Sequence, residues 1–341
     1  MRDDYQDYIE WLRKTCRRRG IDDKHYQAMR DYASTLLKSD LPVVYDGIHL
    51  ALHLKIRQSI LWSFVHEERL HYREFRIPKT AGGMRRILAP KPTLKHCQRW
   101  ILHAILDRIP VDSHATGFRA GFSIADNARP HVNQEVVVSM DIEDFFPSIA
   151  EPQVFRFFRD LHYTRRVSYL LTELCTFSDV LPQGAPTSPA LANLICKTLD
   201  RRLSGLAMAA GGNVAYTRYA DDITFSGPES TCRLTPKIQE IVEDEGFRMN
   251  RRKTRVMHAG QAQIVTGLAV NTKVSIPKKI RRKLQQMIYY CEKYGAQNHR
   301  RYVAHDRSNL RDHLYGWAYY IMGFHREEGQ KLLDQLDRVD W

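Results

Sequence analysis

Asp221 and Asp222 stand side by side in the stretch YTRYADDITFSG, which runs from Tyr216 to Gly227. Apolar and polar residues alternate on either side of them, and this predicts two half-buried strands joined by a tight turn, with the acids at its tip. A third acid, Asp141, closes the run VVVSMD. If the two segments are neighbouring strands of one antiparallel sheet, Asp141 comes close to one of the hairpin acids. At ~4 Å two like charges repel by about 1 kcal/mol in water, and several-fold more in a partly buried site. Either one carboxylate keeps its proton, or divalent cations sit among them. A plain structural reading stands beside both, because aspartate favours turns for its own backbone hydrogen bonds.

Oxygen ligands without nitrogen or sulfur suit Mg²⁺ or Mn²⁺ rather than Zn²⁺. Two such ions ~3.5–4 Å apart serve in-line phosphoryl transfer, one activating a 3′-hydroxyl and the other neutralising a departing pyrophosphate. The charge of the chain fits a polyanionic substrate. Lysine and arginine number 52 against 39 acids, for a net charge of +13 and a pI near 9.5. A basic surface would hold the polyanion while an acidic point holds the metals. The competing reading of the charge is a soluble basic protein with no such partner.

These acids need a scaffold. With 341 residues, 43% hydrophobic and 27% charged, the chain has the composition of a folded protein of two or three subdomains. Residues 5 to 75 carry helical spacing. YREFRIPKTAGGMRRILAP reads as a strand, a Gly-Gly turn and a strand ending at Pro90. The segments LKHCQRWILHAILDRI and VFRFFRDLHYTRRVSYLLTELCTF are helical in period, and EVVVSMDIEDFF is a buried strand. In LPQGAPTSPALANL a Pro/Gly loop leads into a helix with Ser188 as its cap and Pro189 in first position. The carboxylate hairpin follows, then a helix near 233–246, short strands, and helix from Pro277 to the end. Strands and helices mix without βαβ alternation, so the expected class is α+β. Six scattered cysteines suit a reducing cytoplasm. Neither a signal peptide nor an apolar run of membrane-spanning length is expected.

RYADDITFSG resembles the Y-x-D-D hairpin of reverse transcriptases. Five further segments match that family in order: GMRRILAP the fingers strand, VVSMDIEDFFPS the first catalytic strand, and LPQGAPTSPALANL the loop and helix behind the nucleotide. FRMNRRKT matches the lysine-bearing segment and IVTGLAV the turn that grips the primer. The resemblance implies a right-hand polymerase architecture, divided into a helical extension over 1–75, fingers and palm over 76–262, and a primer-grip turn with helical thumb over 263–341. It implies Asp141, Asp221 and Asp222 as the metal-bearing triad, with the Ile142 carbonyl as a further ligand to two Mg²⁺ ions, Mn²⁺ being an alternative. Arg85 and Lys253 would meet the triphosphate of a dNTP, with surface cations as the alternative, and Asp144 would seat phosphates through its N–H. Phe146 would be the steric gate against a ribose 2′-hydroxyl, with core packing as its ordinary alternative, and Gln183 would lie under the sugar.

Two local signatures narrow the family. NARPH, Asn127 to His131, matches the N-A-x-x-H segment of retron reverse transcriptases, and Val265-Thr266-Gly267 matches their V-T-G motif. Both are expected to bind RNA; a capped turn and an ordinary tight turn are the structural alternatives. The residues after the grip turn are expected to form a helical thumb, without RNase H, integrase or endonuclease domains. KKIRRKLQQMIYYCEKYGAQNHRRY supplies cations and tyrosines for phosphates and stacking. Trp317 and Tyr320 suit either duplex contact or thumb core. The resemblance implies a cytoplasmic enzyme that primes from a guanosine 2′-hydroxyl and copies part of its own noncoding RNA into single-stranded DNA (msDNA). It also implies an effector or toxin partner and a part in anti-phage defence. The alternatives are a group II intron-like or abortive-infection polymerase, and a non-catalytic RNA-binding or antitoxin scaffold.

Overall fold

A computed structural model describes residues 2–78, 82–298 and 309–341. The chain divides into two compact, interleaved units, Met1–Asp112 with Asp144–Thr198, and Ser113–Glu143 with Leu199–Trp341.

The first unit is mainly helical. It begins with α1 (Arg2–Arg18), α2 (Asp23–Lys38), α3 (Gly47–His53) and α4 (Gln58–His66). Asp22 and Asp46 cap α2 and α3 by accepting from the N–H groups of His25 and His49, which satisfies donors that no helix can pair internally. The antiparallel strands β1 (Tyr72–Pro78) and β2 (Met84–Pro90) follow, in register from Tyr72↔Pro90 to Pro78↔Met84. They lead to α5 (Pro92–Ala104). The helical spacing read as far as residue 75 therefore gives way to strand at Tyr72. Part of the predicted turn between β1 and β2, residues 79–81, lies outside the described residues.

Where one long helix was expected after the first catalytic strand, there are two. In chain order the next helix, α6 (Ile124–Ala128), belongs to the second unit. The first unit then resumes with α7 (Glu151–Asp160) and α8 (Arg165–Cys175). His162 takes a positive φ of 69°, and Thr164 caps α8 through a hydrogen bond from the Val167 N–H. The loop before α9 (Ser188–Ile195) differs from expectation in one detail. Thr187 occupies the cap position, and the Ser188 hydroxyl instead donates to the Pro182 carbonyl at 2.7 Å, tying down the loop. Pro189 does sit in the first turn.

The second unit is built on a four-stranded antiparallel sheet. Its strands β3 (Val136–Asp141), β4 (Ala215–Tyr219), β5 (Asp222–Gly227) and β6 (Arg255–His258) take the order β4-β5-β3-β6. The helices α10 (Lys197–Ala209) and α11 (Thr235–Asp244) flank it in sequence, and the tiny hairpin β7 (Ile264–Val265) with β8 (Leu268–Ala269) follows. After that come α12 (Lys278–Tyr294), α13 (Leu310–Met322) and α14 (Arg326–Leu336). Residues 299–308, which include the end of the cationic segment singled out above, lie outside the described residues.

Leu284, Ile288, Leu314, Ile321 and Leu336 form one apolar cluster with Val137, Met257, Val265 and Leu268. The terminal helices and the sheet therefore share a core. Each such side chain contributes about 1.5–3 kcal/mol by leaving water. Trp317 packs against this cluster, while Tyr320 remains 40% exposed. Among the described residues, the six cysteines form no disulfide with one another. Among the described residues, no helix is long and apolar enough to cross a membrane.

Candidate functional site

The register of the central strands carries the site. β3 pairs antiparallel with β5 so that Asp141 and Asp222 are direct partners, and the Ile142 N–H donates to the Asp221 carbonyl at 2.9 Å. The acids meet because each ends or begins a strand of the same sheet, at the same edge. Tyr219 pairs with Asp222 across the hairpin, which leaves Ala220 and Asp221 as a two-residue loop. Ala220 takes φ +55°, the left-handed geometry that such loops need and that glycine would supply without strain.

The hairpin departs from its half-buried expectation. In both strands the interior positions are buried on consecutive residues, so both faces are covered. The polar positions are satisfied from within. Arg218 is wholly buried against wholly buried Asp200 of α10, with Nε 2.7 Å from Oδ1 and Nη2 2.6 Å from Oδ2. Tyr216 donates its hydroxyl to Asp200 at 2.7 Å, and Arg218 Nη1 donates to the Ala220 carbonyl at 3.1 Å. A buried guanidinium thus holds the strained turn from beneath. A Cβ on Gly117 would come within 2.9 Å of the Ala220 nitrogen, so only glycine lets that loop approach the turn. Arg218, Asp200 and Gly117 were not singled out from the sequence. A charged residue in an alternating strand reads as a solvent-facing position, and nothing local reveals a partner on a helix.

Burial pushes the Asp222 carboxyl up to about 6, and the charges of Asp221 and Asp141 add to that shift while Lys253 opposes it. Lys253 Nζ lies 2.7 Å from Asp141 Oδ1, and that hydrogen bond holds its ammonium above the usual lysine range. Among the described residues, no three His, Cys, Asp or Glu side chains form a closed metal-binding group; the Asp141 carboxylate is turned to Lys253. The donor set nonetheless fits hard divalent cations. It consists of carboxylate oxygens whose mutual repulsion a cation would relieve.

The residues expected at the nucleotide fall as follows. Lys253 is at the triad. Arg85 is exposed on β2, Asp144 is exposed with φ +46°, and Phe146 is partly buried beside Phe145, their ring centroids 5.5 Å apart. Gln183 is partly buried, and its carbonyl accepts from the Leu88 N–H at 2.8 Å. The next residue, Gly184, has φ +131°, and a Cβ there would lie 2.7 Å from the Leu88 carbonyl oxygen. The loop is therefore fitted against β2 through glycine.

The residues expected to bind RNA divide. Thr266 is half-buried and Gly267 exposed, at the tip of the β7–β8 turn. Asn127, His131 and Val265 are buried. Their side chains are enclosed by protein in this structure. His131 lies between the hydroxyls of Ser226 and Thr217, and burial pushes its imidazole down to about 3, so it is neutral.

Residues 77–302 match the family model described as reverse transcriptase (RNA-dependent DNA polymerase). The chain is 36% identical to the retron Mx65 reverse transcriptase of Myxococcus xanthus, over 87% of this chain and 72% of that protein. It is 31% identical to the retron Ec86 reverse transcriptase of Escherichia coli, over 88% of this chain and 91% of that protein.

Proposed function

Because the chain belongs to the retron reverse transcriptases, which are RNA-directed DNA polymerases, we propose that it copies part of a cognate structured noncoding RNA into msDNA, primed from a guanosine 2′-hydroxyl. The observation that carries this reading is the pairing of Asp141 with Asp222 next to Asp221. Asp141, Asp221, Asp222 and the Ile142 carbonyl would hold two divalent cations, Mg²⁺ or alternatively Mn²⁺, which supply the positive charge that activates a hydroxyl and neutralises a departing pyrophosphate.

The chain's own residues bind and orient. Lys253, now on Asp141, meets the triphosphate together with Arg85, and the Asp144 N–H adds a donor. Phe146 closes the space of a ribose 2′-hydroxyl, and Gln183 lies beneath the sugar. The Thr266–Gly267 turn offers its tip, where Gly267 is exposed, to primer or RNA. The β3–β6 sheet is the palm, β1–β2 belongs to the fingers and α12–α14 form the thumb. The whole acts in the cytoplasm, with its RNA, its msDNA product and an effector protein, as a module of anti-phage defence.

Primer extension on an RNA template with Mg²⁺ and dNTPs tests the reading. Incorporation by the wild type is expected; RNA binding with no incorporation would make the chain a scaffold. In the same assay Phe146→Ala should admit ribonucleotides, and unchanged sugar discrimination would remove Phe146 from its role. Sequencing the nucleic acid that co-purifies identifies the RNA.

A further inference from the structure

We propose that Asn127 and His131 are positioning residues, which tie the Thr266–Gly267 turn to the catalytic hairpin and so align a primer end at that turn with the aspartates. The proposal rests on the polymerase reading above. It concerns how that activity is organised, and neither residue touches substrate.

The β7–β8 turn is strained. Thr266 has φ +45° and Gly267 φ +84°, the pair of left-handed residues that a two-residue hairpin loop requires. Glycine adopts this freely, but a β-branched threonine does so only where its surroundings hold it. Those surroundings are α6. The Thr266 hydroxyl donates to the Ile124 carbonyl at 3.3 Å and accepts from Asn127 Nδ2 at 3.4 Å.

Asn127 then faces the other way as well. Its Oδ1 accepts from the Thr116 hydroxyl at 2.6 Å, and the Thr116 N–H donates to the Arg218 carbonyl of β4 at 2.9 Å. Its backbone carbonyl accepts from the Thr217 hydroxyl at 3.5 Å. Four residues on, His131 bridges both strands of the hairpin, with Nε2 2.8 Å from Thr217 Oγ1 and Nδ1 2.6 Å from Ser226 Oγ. One proton arrangement satisfies every group. Thr217 gives its proton to the Asn127 carbonyl and accepts from Nε2–H, while Ser226 donates to Nδ1. Both side chains are 0% exposed.

Apolar residues could fill this volume, but they would not fix direction. Hydrogen bonds are directional, and a fully satisfied buried network specifies one geometry. A movement of the turn is therefore passed to Arg218 and Thr217, which flank the carboxylate loop. Misplacing a reacting group by ~1 Å can cost up to about 10²-fold in rate.

The test is steady-state primer extension by the full chain, read as kcat, beside the Kd for template–primer and the melting temperature. Thr266→Gly removes the hydroxyl while relieving the backbone, so it is expected to fold. It should lower kcat about tenfold with Kd within about twofold, and Thr266→Ser, which keeps the hydroxyl, should restore most of that loss. Asn127→Ala should act likewise, and the double variant with Thr266→Gly should be no slower than the slower single one, since both cut one link. An unchanged kcat in folded Thr266→Gly would overturn the proposal. So would losses that multiply in the double variant, or a weakened Kd with kcat intact, which would put Thr266 on the RNA itself. Should Asn127→Ala not fold, the glycine and serine variants decide alone. Extension by the wild type in the same assay tests the polymerase reading separately.

Discussion

The antiparallel pairs β4–β5 and β1–β2 are of similar length and opposite character. In β4–β5 the strand interiors are buried on both faces, and the polar groups are closed into a network around Arg218, Asp200 and His131. In β1–β2 six of the seven residues of the first strand are exposed, and the second begins exposed and ends buried. Arg73, Arg76, Arg85 and Arg86 stand on its open surface. On the proposed function the same backbone motif serves two physical ends. Carboxylates that would hold metals against their own repulsion gain from a turn fixed by buried partners. Cations that would meet a mobile polyanion need reach and water access, and gain little from rigidity.

The sharpest way to break this comparison is at the acids. Asp222→Asn keeps the shape and removes a ligand charge, so synthesis should fall on the order of 10³-fold or more, with RNA affinity nearly intact. Residual extension within tenfold of wild type would show that the pairing with Asp141 is not the reacting centre. Next in size is the support beneath the turn. Arg218→Met leaves Asp200 charged and enclosed, and should cost about 3–5 kcal/mol in denaturant unfolding. Adding Asp200→Leu should recover much of that stability, yet the Ala220 carbonyl still lacks its donor, so synthesis should stay depressed. Recovery of both together would mean the pair only fills space.

The buried hairpin should also titrate where the exposed one does not. Folded His131 refuses a proton that the unfolded chain accepts below about 6.5. The unfolded state then binds more protons, so stability is complete above that pH and is lost as pH falls toward about 3. The slope for one proton is about 1.4 kcal/mol per pH unit, or about 2 kcal/mol between pH 6.5 and 5. His131→Gln should flatten the urea-midpoint profile over that window by this amount; an unaltered profile would place the acid sensitivity elsewhere.

How much of this was legible beforehand follows from what sequence patterns encode. The meeting of Asp141 with Asp222 was readable because acids at strand ends need only strand pairing to converge. The α+β class was readable for the same reason, as helical and strand periods are local. Burial of the hairpin was not readable. Alternation in YTRYADDITFS records polarity, and Thr217, Arg218 and Ser226 are polar yet enclosed, because Asp200, Asn127 and His131 reach them from distant segments. Asn127 and His131 were visible as a motif, but a motif names residues and not the side on which they face. Ser188 misled for a related reason. A serine before Pro189 suits a cap, and only the fold brings the Pro182 carbonyl to its hydroxyl.

The weakest expected effect tests the open half of the comparison. Arg86 pairs with Glu74 at 2.9 Å, but both side chains are about half exposed, and such pairs contribute about 0–1 kcal/mol. Arg85, one residue before it, is exposed on the same strand. Arg85→Gln and Arg86→Gln should therefore leave the unfolding midpoint within about 0.5 kcal/mol of wild type. On the proposed function their effect belongs to binding. Withdrawing one cation from a phosphate should reduce the salt dependence of polyanion affinity by roughly one in log–log slope, and Arg85→Gln should raise the KM for dNTP several-fold with little change in kcat. A large stability loss in either variant would mean that β1–β2 is held as the catalytic hairpin is held, and exposure alone would no longer separate the two.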